Sequence, residues 1–192
     1  VCRLVYGEAD QLPSLIVDRY ADWLVIQTLS QATERRKSEI VEILQEIFSP
    51  RGIVERNDPK VRLLEGLDQK VSLLAGDVPP DVIALENGVR FHFDLFKGQK
   101  TGGFLDQREN RRAAASYASG DVLDCFTYNG GFALTIATHC QQVEAIDLSP
   151  AAVEAGRRNQ ALNQISNVSF REANAFDVLK SYDEQGRRFD MI

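Results

Sequence analysis

Two acidic residues 23 positions apart occupy settings that could hold a nucleoside. Asp124 lies near the end of a short apolar run, Val122–Cys125, which leads into Phe126-Thr127-Tyr128-Asn129-Gly130-Gly131. Adjacent glycines permit a turn tight enough for a ligand to approach the backbone. Asp147 closes the next apolar run, Val143–Asp147, just ahead of Leu148-Ser149-Pro150. A carboxylate at a strand end can accept charge-assisted hydrogen bonds from both hydroxyls of a ribose. Each feature alone has a plainer reading. Gly130-Gly131 suits any strand–turn–helix corner, and Asp147 suits a helix start, where the dipole favours an acid. Together they favour a nucleotide-like cofactor. A dinucleotide fold needs G-x-G-x-x-G after its first strand. Tyr128-Asn129-Gly130-Gly131 has no such spacing, so an adenosyl ligand without phosphates fits better. A nicotinamide-dependent oxidoreductase stands as the alternative enzyme.

A third stretch, Gly98–Arg112, mixes glycine and polar residues. Residues 97–112 hold five basic side chains (Lys97, Lys100, Arg108, Arg111, Arg112) against two acidic ones. Such a stretch could face phosphate, or be a solvated helix face. The whole chain carries −6, and residues 1–94 hold 11 basic against 16 acidic side chains. Nucleic-acid binders usually show a basic footprint, so the first half argues against strong RNA affinity. Cys2, Cys125 and Cys140 form no CxxC and there are only two histidines. Free thiols in a reducing cytosol, with no metal, are expected. No window is apolar enough to span a membrane. The N-terminus reads as neither a signal sequence nor a natural start, so the chain is expected to be cut from a longer protein.

Strands are predicted at Leu15–Val17, Trp23–Leu29, Gly52–Glu55 and Val71–Ala75. A helix from Thr33 to Phe48 presents Ile40, Ile43, Leu44, Ile47 and Phe48 on one face. Asn87-Gly88 between Val82–Glu86 and Val89–Phe93 predicts a hairpin. From Asp106 to about Tyr117 a helix opens on Asp106 and Glu109, a variant capping box. Beyond it strand and helix alternate. Strands fall at Val122–Cys125, Val143–Asp147, Val168–Arg171 and Phe189–Ile192. Helices fall near Phe132–Thr138, from Ser149-Pro150 to Asn163, and at Ala175–Tyr182. Short alternating connections predict a parallel, doubly wound sheet. The boundary between the two halves is expected near residues 94–100. A sheet edge left unpaired predicts self-association, hence a possible homodimer.

GQKTGGFLDQRENR, LDCFTYNGGFAL and AIDLSPAAVEAGRRNQALN resemble the class I methyltransferases that make 5-methylcytosine in large-subunit ribosomal RNA. EADQLPSLIVDRY is similar to that family's central domain, and the resemblance covers essentially the whole chain. It implies an α/β fold: a small α+β domain over 1–95, then the first half of a Rossmann-like sheet over 96–192. It implies S-adenosylmethionine as cofactor, ribosomal RNA as partner and a cytoplasmic location. It implies cofactor roles for Asp124, Phe126, Tyr128, Asn129, Gly130, Gly131, Asp147 and Leu148, with Leu148 beside the adenine. Asn174 and Ala175 match the third cofactor motif, Asn174 standing where the family usually has Asp. Lys100, Thr101, Asp106, Gln107 and Arg108 match the family-specific run and would shape the pocket wall or the RNA entrance, and Gly103 leaves that wall less filled. Lys100 and Thr101 are the cofactor candidates there, and Arg108 and Arg111 are the candidate RNA contacts. The resemblance implies an Asp-Pro-Pro loop and a catalytic cysteine beyond residue 192, and no catalytic residue or activity for this stretch alone. A non-enzymatic RNA-binding module with the same fold is the other reading.

Overall fold

The computed structural model describes all residues 1–192. The chain divides into two compact units: Val1–Ala84 with Phe93–Leu105, and Leu85–His92 with Asp106–Ile192. The main crossing lies ten residues beyond the 95/96 boundary that the resemblance implies. No helix is long and apolar enough to cross a membrane.

The first unit is a five-stranded mixed sheet, with strands in chain order. They are β1 (Cys2–Tyr6), β2 (Leu15–Tyr20), β3 (Trp23–Thr28), β4 (Gly52–Asn57) and β5 (Lys70–Gly76). Only the β3–β4 pair is parallel, and its crossover carries α1 (Gln31–Arg35) and α2 (Lys37–Phe48). The single helix expected over 33–48 breaks at Arg36, where ψ is 3°. Ser30 caps α1, exchanging hydrogen bonds with Thr33. Leu44 is buried against Leu15, Val17, Leu24, Ile26 and Ile53, and Ile40, Val41 and Phe48 pack beside it. Ile43 and Ile47, expected on that face, are exposed. The buried stripe follows i, i+4, i+8 from Ile40, with Val41 beside it, and leaves the other two on its flank.

This unit also buries much polar chemistry. Glu55 on β4 is fully buried and accepts from Lys37, Ser72 and Asn57. Asp18 on β2 is gripped by Arg3 through two hydrogen bonds and takes a third from the Thr101 hydroxyl at 2.6 Å. Buried charge survives only when paired in this way. A short helix, α3 (Val61–Leu64), precedes β5.

A hairpin of β6 (Val82–Glu86) and β7 (Val89–Phe93) turns at Asn87-Gly88. Both turn residues have positive φ, 50° and 85°, as a two-residue hairpin turn requires. Residues 85–92 of it count with the second unit.

The second unit opens with α4 (Arg108–Ala115), preceded by a 3₁₀ turn at Leu105–Gln107. Gln107, not Asp106, takes the N-cap position of α4, with no side-chain cap. Then follow β8 (Asp121–Cys125), α5 (Gly131–Ile136), β9 (Gln142–Asp147), α6 (Pro150–Leu162), β10 (Val168–Glu172) and α7 (Ala175–Glu184). The sheet is parallel, in the order β10-β9-β8. The strand expected at Phe189–Ile192 is reduced to one parallel bridge, Met191 to Val122, beside β8. Its place still matters. Chain order runs outward from β8 to β10 on one side and reverses on the other, which creates a switch point at the carboxyl end of β8. Ser149 caps α6 and Pro150 fills its first position, as expected. Gly156 lets α6 lie against β10: a Cβ there would stand 2.3 Å from the Phe170 ring.

Candidate functional site

The carboxyl ends of β8, β9 and β10 carry the candidate site. After β8 the chain passes through Phe126, Tyr128 and Gly130 with φ of 60°, 52° and 84°. Positive φ at two aromatic residues is costly and persists only where the surroundings enforce it. Here the surroundings do so through hydrogen bonds. The Thr127 amide donates to the Ile146 carbonyl at 2.9 Å, and the Gly130 amide to the Thr127 carbonyl at 3.0 Å. Gly130 also has no room for a side chain, since a Cβ would lie 2.8 Å from Phe170.

Asp124 and Asp147 brace the same turn from two strands. One oxygen of Asp124 accepts from the Thr127 hydroxyl at 2.6 Å and from the Ala133 amide at 3.0 Å. Burial pushes this carboxyl up to about 6, against the pull of those two donors and of the Arg111 guanidinium. The nearby Asp147 carboxylate pushes in the same direction as burial. Asp147 stands at the end of β9. Its Oδ2 accepts from the Tyr128 amide and its Oδ1 from the Ser149 amide, both at 2.9 Å. A carboxylate has about four acceptor positions, so each oxygen keeps capacity for a further donor. The two amides fix the plane in which those donors must lie.

Three large apolar side chains rim this carboxylate's end of the sheet. Phe126 follows β8, Leu148 follows β9 and Phe176 lies in the first turn of α7 after β10. They are 62%, 67% and 72% exposed. The two phenyl rings meet edge to face, with centroids 5.8 Å apart. Exposed aromatic carbon held in this way costs free energy unless something flat and apolar covers it. A fixed carboxylate beside an exposed apolar rim fits an adenosyl group: hydroxyls for the acid, a purine for the rim.

The candidate residues from sequence separate into groups. Asp124, Phe126, Tyr128, Asn129, Gly130, Gly131, Asp147 and Leu148 come together at these strand ends. Asn174 is the N-cap of α7, and its side-chain oxygen accepts from the Phe176 amide at 2.9 Å. Ala175 is turned into the core with Leu123, Ile146 and Val178, so only its backbone could touch a ligand. Thr101 lies buried in the first unit, bonded to Asp18 and Tyr20, and is a core group there. The gap expected at Gly103 is filled: a Cβ would stand 2.9 Å from Phe93. Lys100 sits in the first unit with its ammonium 4.7 Å from the centre of the Phe104 ring. Arg108 is partly exposed, 3.6 Å from the Glu109 carboxylate.

Arg111 corrects the expectation of an RNA contact. It is buried, ion-paired with buried Glu86, and packed against Gly131, where a Cβ would meet its Nε at 2.6 Å. Its position one turn into α4 aims it inward, which charge counting along a sequence does not register. Phe176 was missed because it lies outside the matched motifs, although an aromatic residue just after a helix cap at a third strand end is a readable signal.

An S-adenosylmethionine-dependent methyltransferase family model matches residues 66–190. A protein of Yersinia pseudotuberculosis named ribosomal RNA large subunit methyltransferase I is 40% identical over 195 residues. The alignment covers 99% of this chain and 49% of that protein, so the chain spans about half the length of the curated relatives it matches. A protein of the same name from Yersinia pestis matches equally. Among solved structures, one from Streptococcus mutans, described as a SAM-dependent methyltransferase, superposes with a TM-score of 0.82. It is 22% identical, over 99% of this chain and 50% of that one. A methyltransferase crystal structure complexed with SAH superposes at 0.83, also 22% identical, over 99% and 50%. At that identity the structural likeness speaks for the fold: a class I methyltransferase-like α/β fold.

Proposed function

The chain belongs to the S-adenosylmethionine-dependent methyltransferase family, and from that premise we propose that it forms the cofactor-binding part of an enzyme that methylates large-subunit ribosomal RNA, with carbon 5 of a cytosine as the target. The observation that carries the cofactor reading is Asp147, fixed by two backbone amides beside the Phe126–Phe176 pair. When bound, the cofactor would supply an electrophilic methyl group on a sulfonium. Asp147 would hold the ribose hydroxyls, and Phe126, Leu148 and Phe176 would cover the adenine. The Phe126–Gly131 turn, braced by Asp124, would present backbone to the methionine end. The absence of G-x-G-x-x-G in that turn disfavours the nicotinamide alternative.

The target rests on different support. The relatives named above carry the ribosomal RNA assignment. The Lys100–Arg108 run and the EADQLPSLIVDRY opening resemble the cytosine-5 family. Carbon 5 of cytosine is a poor nucleophile, and that family activates it by adding a thiolate to the ring. Burial raises the thiols of Cys125 and Cys140, which disfavours their reactive form, and none of the three cysteines matches the motif that carries the family's catalytic thiol. The proposal includes a cytoplasmic enzyme and self-association through the sheet edge. Gel filtration over a wide concentration range reads the latter; a monomer throughout removes it.

Titration calorimetry tests the cofactor reading. The chain should take up S-adenosylhomocysteine and leave NADH unbound. Binding of NADH with no response to S-adenosylhomocysteine would overturn it. The target is tested on the full-length protein with unmodified ribosomal RNA and labelled cofactor, followed by nucleoside analysis. A labelled 5-methylcytosine is expected; a labelled guanosine would replace the cytosine assignment.

A further inference from the structure

α6 and its C-cap carry two asparagines one turn apart, Asn159 and Asn163, that the cofactor reading does not use. Asn159 is completely buried. Its Oδ1 accepts from the His92 amide at 2.8 Å, and its Nδ2 donates to the Asn129 carbonyl at 2.9 Å. Asn163 repeats the pattern two residues back along β7. Its Oδ1 accepts from the Arg90 amide at 2.9 Å, and its Nδ2 donates to the Arg90 carbonyl at 2.7 Å. The spacing explains the match. Four residues of helix advance about 6 Å, and two residues of strand advance about 6.7 Å. A pair of helix amides can therefore read alternate residues of a strand edge.

Asn163 Nδ2 also donates to the Asn159 carbonyl at 2.7 Å, but only Asn159 reaches the glycine turn. Its oxygen must face the His92 N–H, because a side-chain NH₂ there would oppose a donor with a donor. Its nitrogen is thereby turned onto Asn129, inside the positive-φ turn. We infer that Asn159 is a positioning residue for the cofactor turn, holding the Asn129 carbonyl so that Phe126–Gly131 keeps the shape a ligand needs. Asn129 O is fixed from α6, Tyr128 N from Asp147 on β9, and Thr127 from Asp124 on β8. The turn is thus held from α6 as well as from β8 and β9, and Asn159 supplies the anchor from α6.

Asn159→Asp isolates the contact. It has the same shape and still accepts from His92, but sets an oxygen against the Asn129 carbonyl. Asn163→Ala is the control, since it loosens β7 without touching the turn. Hydrogen exchange on the full chain reads the turn without any ligand. N159D should speed exchange at Thr127, Tyr128 and Gly130 at least 10-fold, while N163A should change exchange only near Arg90. Should N159D fail to fold, Asn159→Ser, which buries no charge, takes its place with the same expectation for the turn. Calorimetry with S-adenosylhomocysteine adds a second reading that rests on the cofactor proposal. N159D should weaken binding about 10-fold at pH 7.5 and regain it at pH 5.5, where a protonated carboxyl can donate to Asn129 again. Wild type at both pH values is the reference. Turn exchange unchanged in N159D or N159S, or raised equally by N163A, overturns the inference. A wild-type chain that ignores S-adenosylhomocysteine overturns the cofactor proposal instead, and the exchange result still decides the role of Asn159.

Discussion

Replacing Asp147 by Asn puts the ribose assignment at greatest risk. The carboxylate accepts from Tyr128 on one oxygen and from Ser149 on the other, each at 2.9 Å. An amide of the same shape has one accepting oxygen, so one of those two N–H groups loses its partner, and one of two prospective ribose acceptors goes with it. The charge is lost as well. Hydrogen bonds to a charged group are worth about 1.5–3 kcal/mol each. Losing one, and weakening the other, should cost S-adenosylhomocysteine about 2–3 kcal/mol of binding, or roughly 30- to 150-fold in Kd. The fold should lose less, about 1 kcal/mol, because the orphaned amide lies at the surface end of the sheet where water can replace its partner. Calorimetry separates the two effects when done as a cycle. Wild type and D147N are each titrated with S-adenosylhomocysteine and with its analogue lacking both ribose hydroxyls. The wild type should lose affinity for the analogue, and D147N, with one weakened acceptor left, should distinguish the two ligands far less. If D147N loses equally for both, Asp147 acts only by bracing the turn, and the ribose role is wrong.

Three further outcomes are expected. Asp124 titrates near 6 in the folded chain against 3.8 ordinarily, so the folded state holds its proton more tightly. The associated stability is present below pH 4 and is lost as pH rises through 6, a change on the order of 3 kcal/mol. Asp124→Asn keeps an oxygen for Thr127 and Ala133, so urea midpoints from pH 4 to 7.5 should show wild type losing stability relative to D124N; parallel curves would refute this. Gly156→Ala, which in an open helix would stabilise by about 0.5–1 kcal/mol, should here destabilise by about 1–3 kcal/mol, because the methyl meets the Phe170 ring at 2.3 Å. A thermal melt gives the sign directly. Arg111→Met strands the buried Glu86 carboxylate and should cost about 3 kcal/mol. Adding Glu86→Leu should recover part of that loss, whereas a double variant no more stable than R111M would show that the pair is not what holds Arg111 in place.

Much of this protein was readable along the chain because it is written in local chemistry. Asn87-Gly88 meets the positive φ that its hairpin turn demands. Ser149-Pro150 starts α6 with a side-chain acceptor and a preset φ. The two acids, Asp124 and Asp147, lie at the carboxyl ends of strands whose apolar residues must be buried from both faces, Asp147 as the last residue and Asp124 one before it. These features depend on near neighbours in sequence, so pattern and spacing suffice to find them. What the sequence could not decide was direction. Arg111 and Arg112 are adjacent and chemically alike, yet only helix rotation against the β6–β7 hairpin buries the first and leaves the second exposed. Thr101 sits inside a motif that resembles a cofactor wall, and long-range pairing with Asp18 and Tyr20 makes it core. Ile43 and Ile47 have the right period for a buried face, but the sheet beneath α2 selects the stripe beside them. Asn159 looks like a polar helix residue until β7 and the glycine turn arrive on either side of its amide. Each of these outcomes depends on residues tens of positions away, whose approach is set by packing the sheet, and no local propensity carries that information.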